Sequence, residues 1–341
     1  MVRIAFSVAA IAVAACATPA LSQDAAIVDF YKGKTITWIV GTGEGGGYDL
    51  SSRLAGQYVS RFIPGNPTVV PRNMPGAGSI AAAEFVFANG PKDGTMLAMF
   101  QPTFILEKFT NPARRYKSEE FTYIARVDAS DLVGLLWADA PAKSLEDAKK
   151  QEVILSANAA AGTSATIPWA LNRMIGTKFK VVLGYNSSAR MGLAMESGEA
   201  HGIGSTSWDY LQTKQDWFDG KKINILYSIT MERMTALPGT PTVSELVSND
   251  RDRNALKLMA STSTVGRAVV SPPGNDAART KALRDAFEAM SRDPEYLADA
   301  KRRRLGHDFM RGDKLQALVA DVAGQPQSVV DWMIEVTKKP D

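Results

Sequence analysis

The chain has 341 residues, 45% of them hydrophobic, and a formal net charge of +3 at pH 7. A charge so close to balance argues against nucleic acid as a partner. One cysteine and two histidines exclude an internal disulfide and leave few ligands for a zinc site or a histidine-based catalytic centre. We therefore expect no metal and no cofactor.

The N-terminus predicts export. Arg3 precedes an apolar run over residues 4–15, and Ala20-Leu21-Ser22 forms a small-x-small cleavage site. This pattern is typical of a secretory signal peptide, here residues 1–22, and it predicts that the mature chain resides in the periplasm. Residues 13–16 also resemble a lipoprotein box. Lipid anchoring through Cys16 is therefore an alternative, although it would require an unusually short signal.

A strand, a glycine-dense loop and a helix follow one another in residues 35–62. The apolar run 36–40 leads into the loop Gly41–Gly47, after which apolar residues recur at helical spacing. Such a loop offers backbone N–H groups at a helix N-terminus to an anion. Residues 41–46 match G-x-G-x-x-G, but a dinucleotide site also needs an acidic residue ending the second strand, where this chain has Arg72 and Asn73.

Strands and helices then alternate along the chain. Strands are predicted at residues 68–70 and 95–100, with a helix over 80–88 capped by Ser79. This alternation predicts a parallel sheet covered by helices, with its ligand-binding rim at the carboxyl ends of the strands. That rim would carry residues 41–49, 76–79 and 101–104.

A second unit repeats this organisation in the middle of the chain. Strands are predicted at residues 152–156, 179–183, 203–207 and 223–229, with helices over 167–175 and 189–197. Small polar loops follow three of these strands, at residues 158–164, 184–188 and 205–207. A strand near 264–271 and an amphipathic helix containing residues 283–290 follow. We therefore expect an α/β protein with one lobe formed by residues 23–125 and 250–341 and the other by residues 126–249.

Catalytic patterns are not found in the sequence. The glycine loop is followed by no Walker lysine, no G-x-S-x-G occurs, and neither His201 nor His307 has a recognisable triad context. The predicted activity is therefore binding rather than catalysis. Two alternatives remain open: a secreted enzyme acting on a small acid with the same two-lobed scaffold, and a receptor that presents a ligand to a membrane kinase.

Several segments carry a family resemblance. They are Gly45-Gly-Gly-Tyr-Asp49 with Arg53, residues 69–78 (VVPRNMPGAG), Pro91-Lys-Asp-Gly-Thr95, Gly184-Tyr-Asn-Ser-Ser188, residues 197–202 (SGEAHG) and residues 237–245 (LPGTPTVSE). With these segments the chain resembles the Bug-type (TctC-like) periplasmic substrate-binding receptors of tripartite tricarboxylate transporters. The resemblance implies a type II periplasmic-binding-protein (Venus flytrap) fold of two α/β lobes, each a mostly parallel sheet covered by helices. It also implies a monomer that captures a small organic acid and delivers it to the membrane permease subunits.

The predicted binding residues lie on loops of both lobes. Gly45, Gly46 and Gly47 would hold a carboxylate from one side, with Asp49 capping the first helix and fixing the glycine loop. The other side would be formed by Thr163, Ser164, Tyr185 and Ser187. Phe104, Trp169, Tyr185 and Trp208 could stack on a larger or aromatic acid. Glu44 would oppose a di- or tricarboxylate unless it points away, so aliphatic acids, aromatic acids and amino acids all remain candidate ligands.

Overall fold

The computed structural model describes residues 19–340, apart from residues 46, 112, 159, 161 and 186. Most of the predicted signal peptide, residues 1–22, therefore falls outside the described residues, as do Cys16 and Gly46. None of the helices in the described part of the chain is long and apolar enough to cross a membrane.

The described residues form eleven strands and fourteen α-helices. The strands are β1 (Thr35–Val40), β2 (Thr68–Asn73), β3 (Met96–Met99), β4 (Thr122–Arg126), β5 (Leu132–Trp137), β6 (Val153–Ser156), β7 (Phe179–Val182), β8 (Gly202–Ser207), β9 (Ile223–Ser228), β10 (Ala268–Ser271) and β11 (Met310–Arg311). The helices are α1 (Pro19–Tyr31), α2 (Gly47–Val59), α3 (Ile80–Asn89), α4 (Glu107–Thr110), α5 (Leu145–Lys150), α6 (Thr163–Ile175), α7 (Ser188–Glu196), α8 (Trp208–Gln212), α9 (Gln215–Asp219), α10 (Asp250–Val265), α11 (Ala277–Met290), α12 (Pro294–Arg302), α13 (Gly312–Ala323) and α14 (Gln327–Thr337).

The strands form two sheets. The first has the order β11-β4-β10-β3-β1-β2, and the second has the order β7-β6-β8-β5-β9. In the first sheet β1 to β4 share one direction and β10 and β11 oppose them. In the second sheet β5 alone opposes the other strands. The prediction of two mostly parallel sheets covered by helices is confirmed.

The chain crosses between the sheets twice, and the two crossing segments pair with each other. Residues 127–131 lead from β4 to β5, and residues 266–267 lead from α10 into β10. The Val127 N–H donates to the Arg267 carbonyl over 3.1 Å, and the Arg267 N–H donates to the Asp128 carbonyl over 2.9 Å. The two crossings therefore form one connection, which we call the hinge.

The division of the chain into lobes stays a prediction at its boundaries. The C-terminal helix α14, assigned to the first lobe from sequence, packs against α6, which connects two strands of the second sheet. Arg173 in α6 donates to the Val336 carbonyl in α14 over 3.1 Å. The last helix therefore packs against the second unit, while α13 before it packs against β4 of the first sheet.

Apolar side chains explain why the predicted strands form. Trp38 in β1 is fully buried, and its ring meets that of Phe287 in α11 edge-on at 5.7 Å between centroids. The strands predicted around residues 36–40, 68–70, 95–100, 152–156, 179–183, 203–207 and 223–229 are confirmed. The strand predicted over 264–271 is wrong in its first half, because α10 extends to Val265 and β10 begins at Ala268.

Candidate functional site

The glycine loop ends at the N-terminus of α2, and Asp49 holds it in place. The Asp49 carboxylate is 2% exposed and accepts hydrogen bonds from the Gly45 N–H (2.8 Å), the Arg53 Nε–H (3.0 Å) and the Asn73 Nδ2–H (2.9 Å). Burial acts to raise the pKa of this carboxyl, but these hydrogen bonds hold it below its usual value. Asp49 is therefore an ionised structural anchor for the loop. The Gly45 N–H is bonded to Asp49 and is therefore not free for the ligand contact that the sequence predicts.

Neighbouring strand ends brace the same loop. Val40, Asn73 and Met99 end their strands in register with one another. Ser79 begins α3 at the position predicted for a cap, but its hydroxyl donates to the Gly41 carbonyl over 2.9 Å and accepts from the Gln101 N–H over 3.0 Å. The side chain of Ser79 therefore links the three predicted rim segments instead of capping the helix.

Gly47 is a described residue of the glycine loop that is open to a ligand. It is exposed and begins α2. A Cβ atom placed on it would lie 3.1 Å from the Nη2 atom of Arg267, a hinge residue. The N-terminus of a helix and a guanidinium group thus lie side by side, and each attracts an anion.

Arg267 links the glycine loop to the second sheet. Its guanidinium pairs with Asp128 through Nη1 and with Asp209 through Nη2, the latter over 2.9 Å. Asp128 belongs to the hinge and Asp209 to the first turn of α8, directly after β8. Arg267 is only 7% exposed, and its Nε has no hydrogen-bond partner. One donor of the buried guanidinium is therefore unsatisfied.

Two carboxylates, Asp128 and Asp209, are paired with the single positive charge of Arg267. Burial raises the pKa of the Asp128 carboxyl to about 7, against the opposing attraction of Arg267, and nearby carboxylates, Asp209 first, add to the rise. The Tyr48 ring centroid lies 5.9 Å from the Arg267 guanidinium carbon, and burial raises the pKa of the Tyr48 hydroxyl. Protonation of Asp128 near neutral pH would leave Arg267 with one charged partner and make this region more attractive to an anion.

On the second sheet, Thr163 begins α6 and faces β8. Its hydroxyl lies 2.8 Å from that of Ser205. Ser164 is 2% exposed, and its hydroxyl accepts from the Asn158 N–H (3.1 Å) and donates to the Asn158 side-chain oxygen (2.7 Å). Ser164 therefore shapes the loop before α6, and Thr163 is the better placed of the two to meet a ligand.

Tyr185 and Ser187 lie on the loop after β7 and already bond within the second unit. The Tyr185 hydroxyl donates to Glu199 over 2.6 Å, which raises the pKa of Tyr185 to about 12. The Ser187 hydroxyl accepts from the Arg190 N–H over 3.2 Å and so caps α7. Both side chains thus have structural roles of their own.

Two of the four aromatic candidates lie in the core. Phe104 is 1% exposed, and its ring packs against those of Phe100 and Phe121 at 5.2 and 5.9 Å between centroids. Trp169 is 3% exposed. The prediction that these rings could stack on a ligand is therefore wrong, because their faces are covered by protein. Trp208 is half-buried at the start of α8, beside Asp209, with its ring edge-on to Phe218.

Glu44 is exposed. The hydrogen bond to Asp49 is the main cause that raises the pKa of Arg53, and the charge of Glu44 adds to the rise. It therefore faces solvent on the Arg53 side of the loop, so it does not by itself exclude an anion from Gly47.

Sequence reasoning missed both Arg267 and Asp209. The sequence marks Arg267 only as a cation directly before an apolar strand, and its partners lie 139 and 58 residues away. No short-range pattern could have paired these three residues.

Comparisons with known proteins identify the family of the chain. The chain matches the family model described as "Tripartite tricarboxylate transporter family receptor" over residues 61–331, a span that begins after the glycine loop. A relative from Cupriavidus necator, the "UPF0065 protein in gbd 5'region", is 21% identical over 96% of this chain and 95% of its own length.

Two solved structures share the fold. A TctC solute binding protein from Polaromonas, solved without ligand, has a TM-score of 0.68 at 19% identity and covers 89% of this chain and 99% of its own. The R. palustris protein Rpa4515, solved with adipate, has a TM-score of 0.61 at 18% identity and covers 88% of this chain and 97% of its own. The two sheets therefore form the two-lobed α/β fold of TctC-type solute-binding proteins.

Proposed function

The chain belongs to the tripartite tricarboxylate transporter receptor family, and from that premise we propose that it captures a small organic acid between its two lobes in the periplasm. It then delivers the acid to the membrane permease subunits of such a transporter. We propose that residues 23–125 and 250–341 act as one lobe and residues 126–249 as the other, and that the receptor works as a monomer.

The observation that carries this proposal is the meeting of three groups at Gly47. The N-terminus of α2 supplies backbone N–H groups, Arg267 supplies a buried guanidinium 3.1 Å from the Cβ position of Gly47, and Asp209 ties that guanidinium to the second sheet. An anion at Gly47 would touch the first lobe and the hinge, within reach of the second. Carboxylates are the first class to test, since the similar protein Rpa4515 was solved with adipate.

The energies are compatible with useful affinity. Micromolar binding requires about 8 kcal/mol. A helix N-terminus contributes about 0.3–2 kcal/mol and each charge-assisted hydrogen bond about 1.5–3 kcal/mol. The α2 N-terminus and Arg267 on one side and Thr163 on the other reach this total only at the upper ends of these ranges, which requires that the lobes close and exclude water.

We infer that the acid leaves the cleft unaltered. The polar groups around Gly47 are a guanidinium, two carboxylates and the Tyr48 hydroxyl, and the carboxylates are paired with Arg267. The described residues contain no cluster of histidine, cysteine and carboxylate side chains able to hold a metal ion. This inventory binds and orients an anion without offering an activated nucleophile.

A thermal-shift screen of the chain from residue 23 onward tests the proposal. Aliphatic mono-, di- and tricarboxylates, aromatic acids and amino acids are compared at equal concentration, and mass spectrometry then identifies each bound acid after incubation. We expect carboxylates to raise Tm and to be recovered chemically unchanged. Stabilisation by cations alone, or conversion of the bound acid, would contradict the proposal.

A further inference from the structure

A chamber opens beside the start of α6. Its wall residues do not include Arg267 or the two carboxylates paired with it, Asp128 and Asp209. It has a volume of about 300 Å³ and receives wall residues from both sides of the predicted cleft. Thr103 comes from the segment after β3, and Thr163 and Thr166 come from the first turns of α6. Helices α10 and α14 close the remaining sides. The volume lies at the lower end of the range of about 300–1,000 Å³ that is usual for small-molecule sites.

The chamber walls are mainly apolar. Leu106, Met259, Met333 and Ile334 supply aliphatic and thioether surface. Met259 and Met333 are 4% and 3% exposed, while Leu106 and Ile334 are half-buried. A hydrocarbon chain entering this space would exchange water for apolar contact on several sides.

The charged residues of the walls are already paired. Lys338 donates to Glu335 over 2.6 Å, and Glu107 pairs with Arg114 over 3.0 Å. A carboxylate placed among Leu106, Met259, Met333 and Ile334 would lose its water, and Lys338, the lysine among the described wall residues, is already paired with Glu335. Desolvation without a counter-charge disfavours an ionised group strongly.

We propose that this chamber receives the apolar tail of the transported acid, so that the ligand is a monocarboxylate with an aliphatic or aromatic tail and not a short di- or tricarboxylate. The inference rests on the proposed function, in which the loops of the two lobes hold the carboxylate. Thr163 connects the two regions: it lines the chamber, and its hydroxyl contacts Ser205 in β8, the strand that leads to Asp209.

The first experiment is a matched ligand series measured by calorimetry at pH 7.5. Butanoate, hexanoate and octanoate differ only in methylene count, and suberate equals octanoate in length but carries a second carboxylate. We expect each added methylene to tighten binding about fourfold, so octanoate should bind about two orders of magnitude more tightly than butanoate. Suberate should bind at least about tenfold more weakly than octanoate, since its second carboxylate would enter the chamber.

The ligand series tests the chamber proposal and the proposed function separately. If affinity does not change with chain length, or if suberate binds as tightly as octanoate, the chamber proposal is overturned. Tight binding of succinate or citrate without binding of the monocarboxylates would overturn the chamber proposal and leave the proposed function standing. If none of these acids and no other carboxylate binds, the proposed function fails.

A variant with a matched control supplies a second test. Ile334→Lys places a cation in the chamber wall, and Leu193→Lys places the same group on α7, where Leu193 is 57% exposed. We expect Ile334→Lys to reverse the preference, so that suberate binds more tightly than octanoate, while Leu193→Lys binds both as the wild type does. An unchanged preference in a folded Ile334→Lys protein would contradict the proposal. If that variant does not fold, the wild-type series decides.

Discussion

Gly47→Val tests the carboxylate site at the start of α2. The position has no positive φ, so a side chain there causes no backbone strain. Valine also has a higher helix propensity than glycine by a few tenths of a kcal/mol. Its Cβ would, however, lie 3.1 Å from Arg267 Nη2, tighter than ordinary contact, and its methyl groups would cover the helix N-terminus. We therefore expect a folded protein that binds carboxylates poorly.

The expected size follows from the contacts that are lost. Blocking one charge-assisted hydrogen bond costs about 1.5–3 kcal/mol, which corresponds to an affinity loss of about 10- to 150-fold. At a ligand concentration of 100 times Kd, the wild type gains about 2.7 kcal/mol, or roughly 5 °C in Tm. A variant that binds 100-fold more weakly gains only about 0.4 kcal/mol at the same concentration, less than roughly 1 °C.

The assay is a ligand titration of Tm, with calorimetry for Kd, using the acid that stabilises the wild type most. Gly43→Val is the matched control, because a Cβ on Gly43 would meet nothing within 4 Å. We expect Gly43→Val to shift with ligand as the wild type does, and Gly47→Val to keep its ligand-free Tm but lose the shift. If Gly47→Val binds the acid normally, the assignment of the site to the α2 N-terminus is wrong.

Three further substitutions test the surrounding groups. Asp49→Asn removes the charge that Arg53 binds, so we expect the free energy of unfolding in urea to fall by about 1–3 kcal/mol at neutral pH. Because the pKa of Asp49 lies below its usual value, that wild-type advantage should be present above about pH 4 and disappear as the pH falls through the folded-state pKa. Arg267→Gln should weaken carboxylate binding at least about tenfold in calorimetry, since it leaves Asp128 and Asp209 without their cation. With the pKa of Asp128 raised to about 7, affinity for a carboxylate should fall as pH rises from 6 to 8, and Asp128→Asn should flatten that dependence.

Each of these expectations has a contrary outcome. An Asp49→Asn protein as stable as the wild type would show that the loop does not depend on the buried charge. Full affinity in Arg267→Gln would show that the guanidinium is not part of the site.

The raised pKa of Asp128 also predicts that the unfolding free energy of the wild type decreases as the pH rises from about 4 to 7, because the folded state retains a proton that the unfolded state loses. A pH-independent affinity in the wild type would contradict the role given to Asp128.

Local pattern was sufficient for most of the fold. The strands formed from short apolar runs bounded by glycine and proline, and small polar residues followed them at the carboxyl edge. Local pattern did not predict the end of helix α10. Its last turns contain Ser261, Thr262 and Ser263, which have low helix propensity, but all three are buried. The hydroxyls of Ser261 and Thr262 bond back to the carbonyls of Leu258 and Met259 within the helix. Burial against the rest of the protein stabilises that helix, and this burial cannot be predicted from the composition of the segment.

For the proposed site, the sequence predicted the loops but not the side chains. Gly47 and Thr163 follow from strand–loop–helix geometry, because helix N-termini must lie at that edge of each sheet. Phe104 was misassigned, since an aromatic residue after a strand can face either the rim or the core, and burial decides which. Arg267 could not be placed at all, because its position depends on the pairing of the two hinge segments in three dimensions.

The most direct test of the central claim is a crystal structure of the protein with the acid that raises Tm most. We expect the carboxylate between the two lobes, with an oxygen within hydrogen-bond distance of the first backbone N–H groups of α2 and the Arg267 guanidinium close by, and with the Thr163 hydroxyl facing it from the other side. A carboxylate bound outside the cleft, or held in the cleft without contact to the start of α2 or to Arg267, would contradict the account.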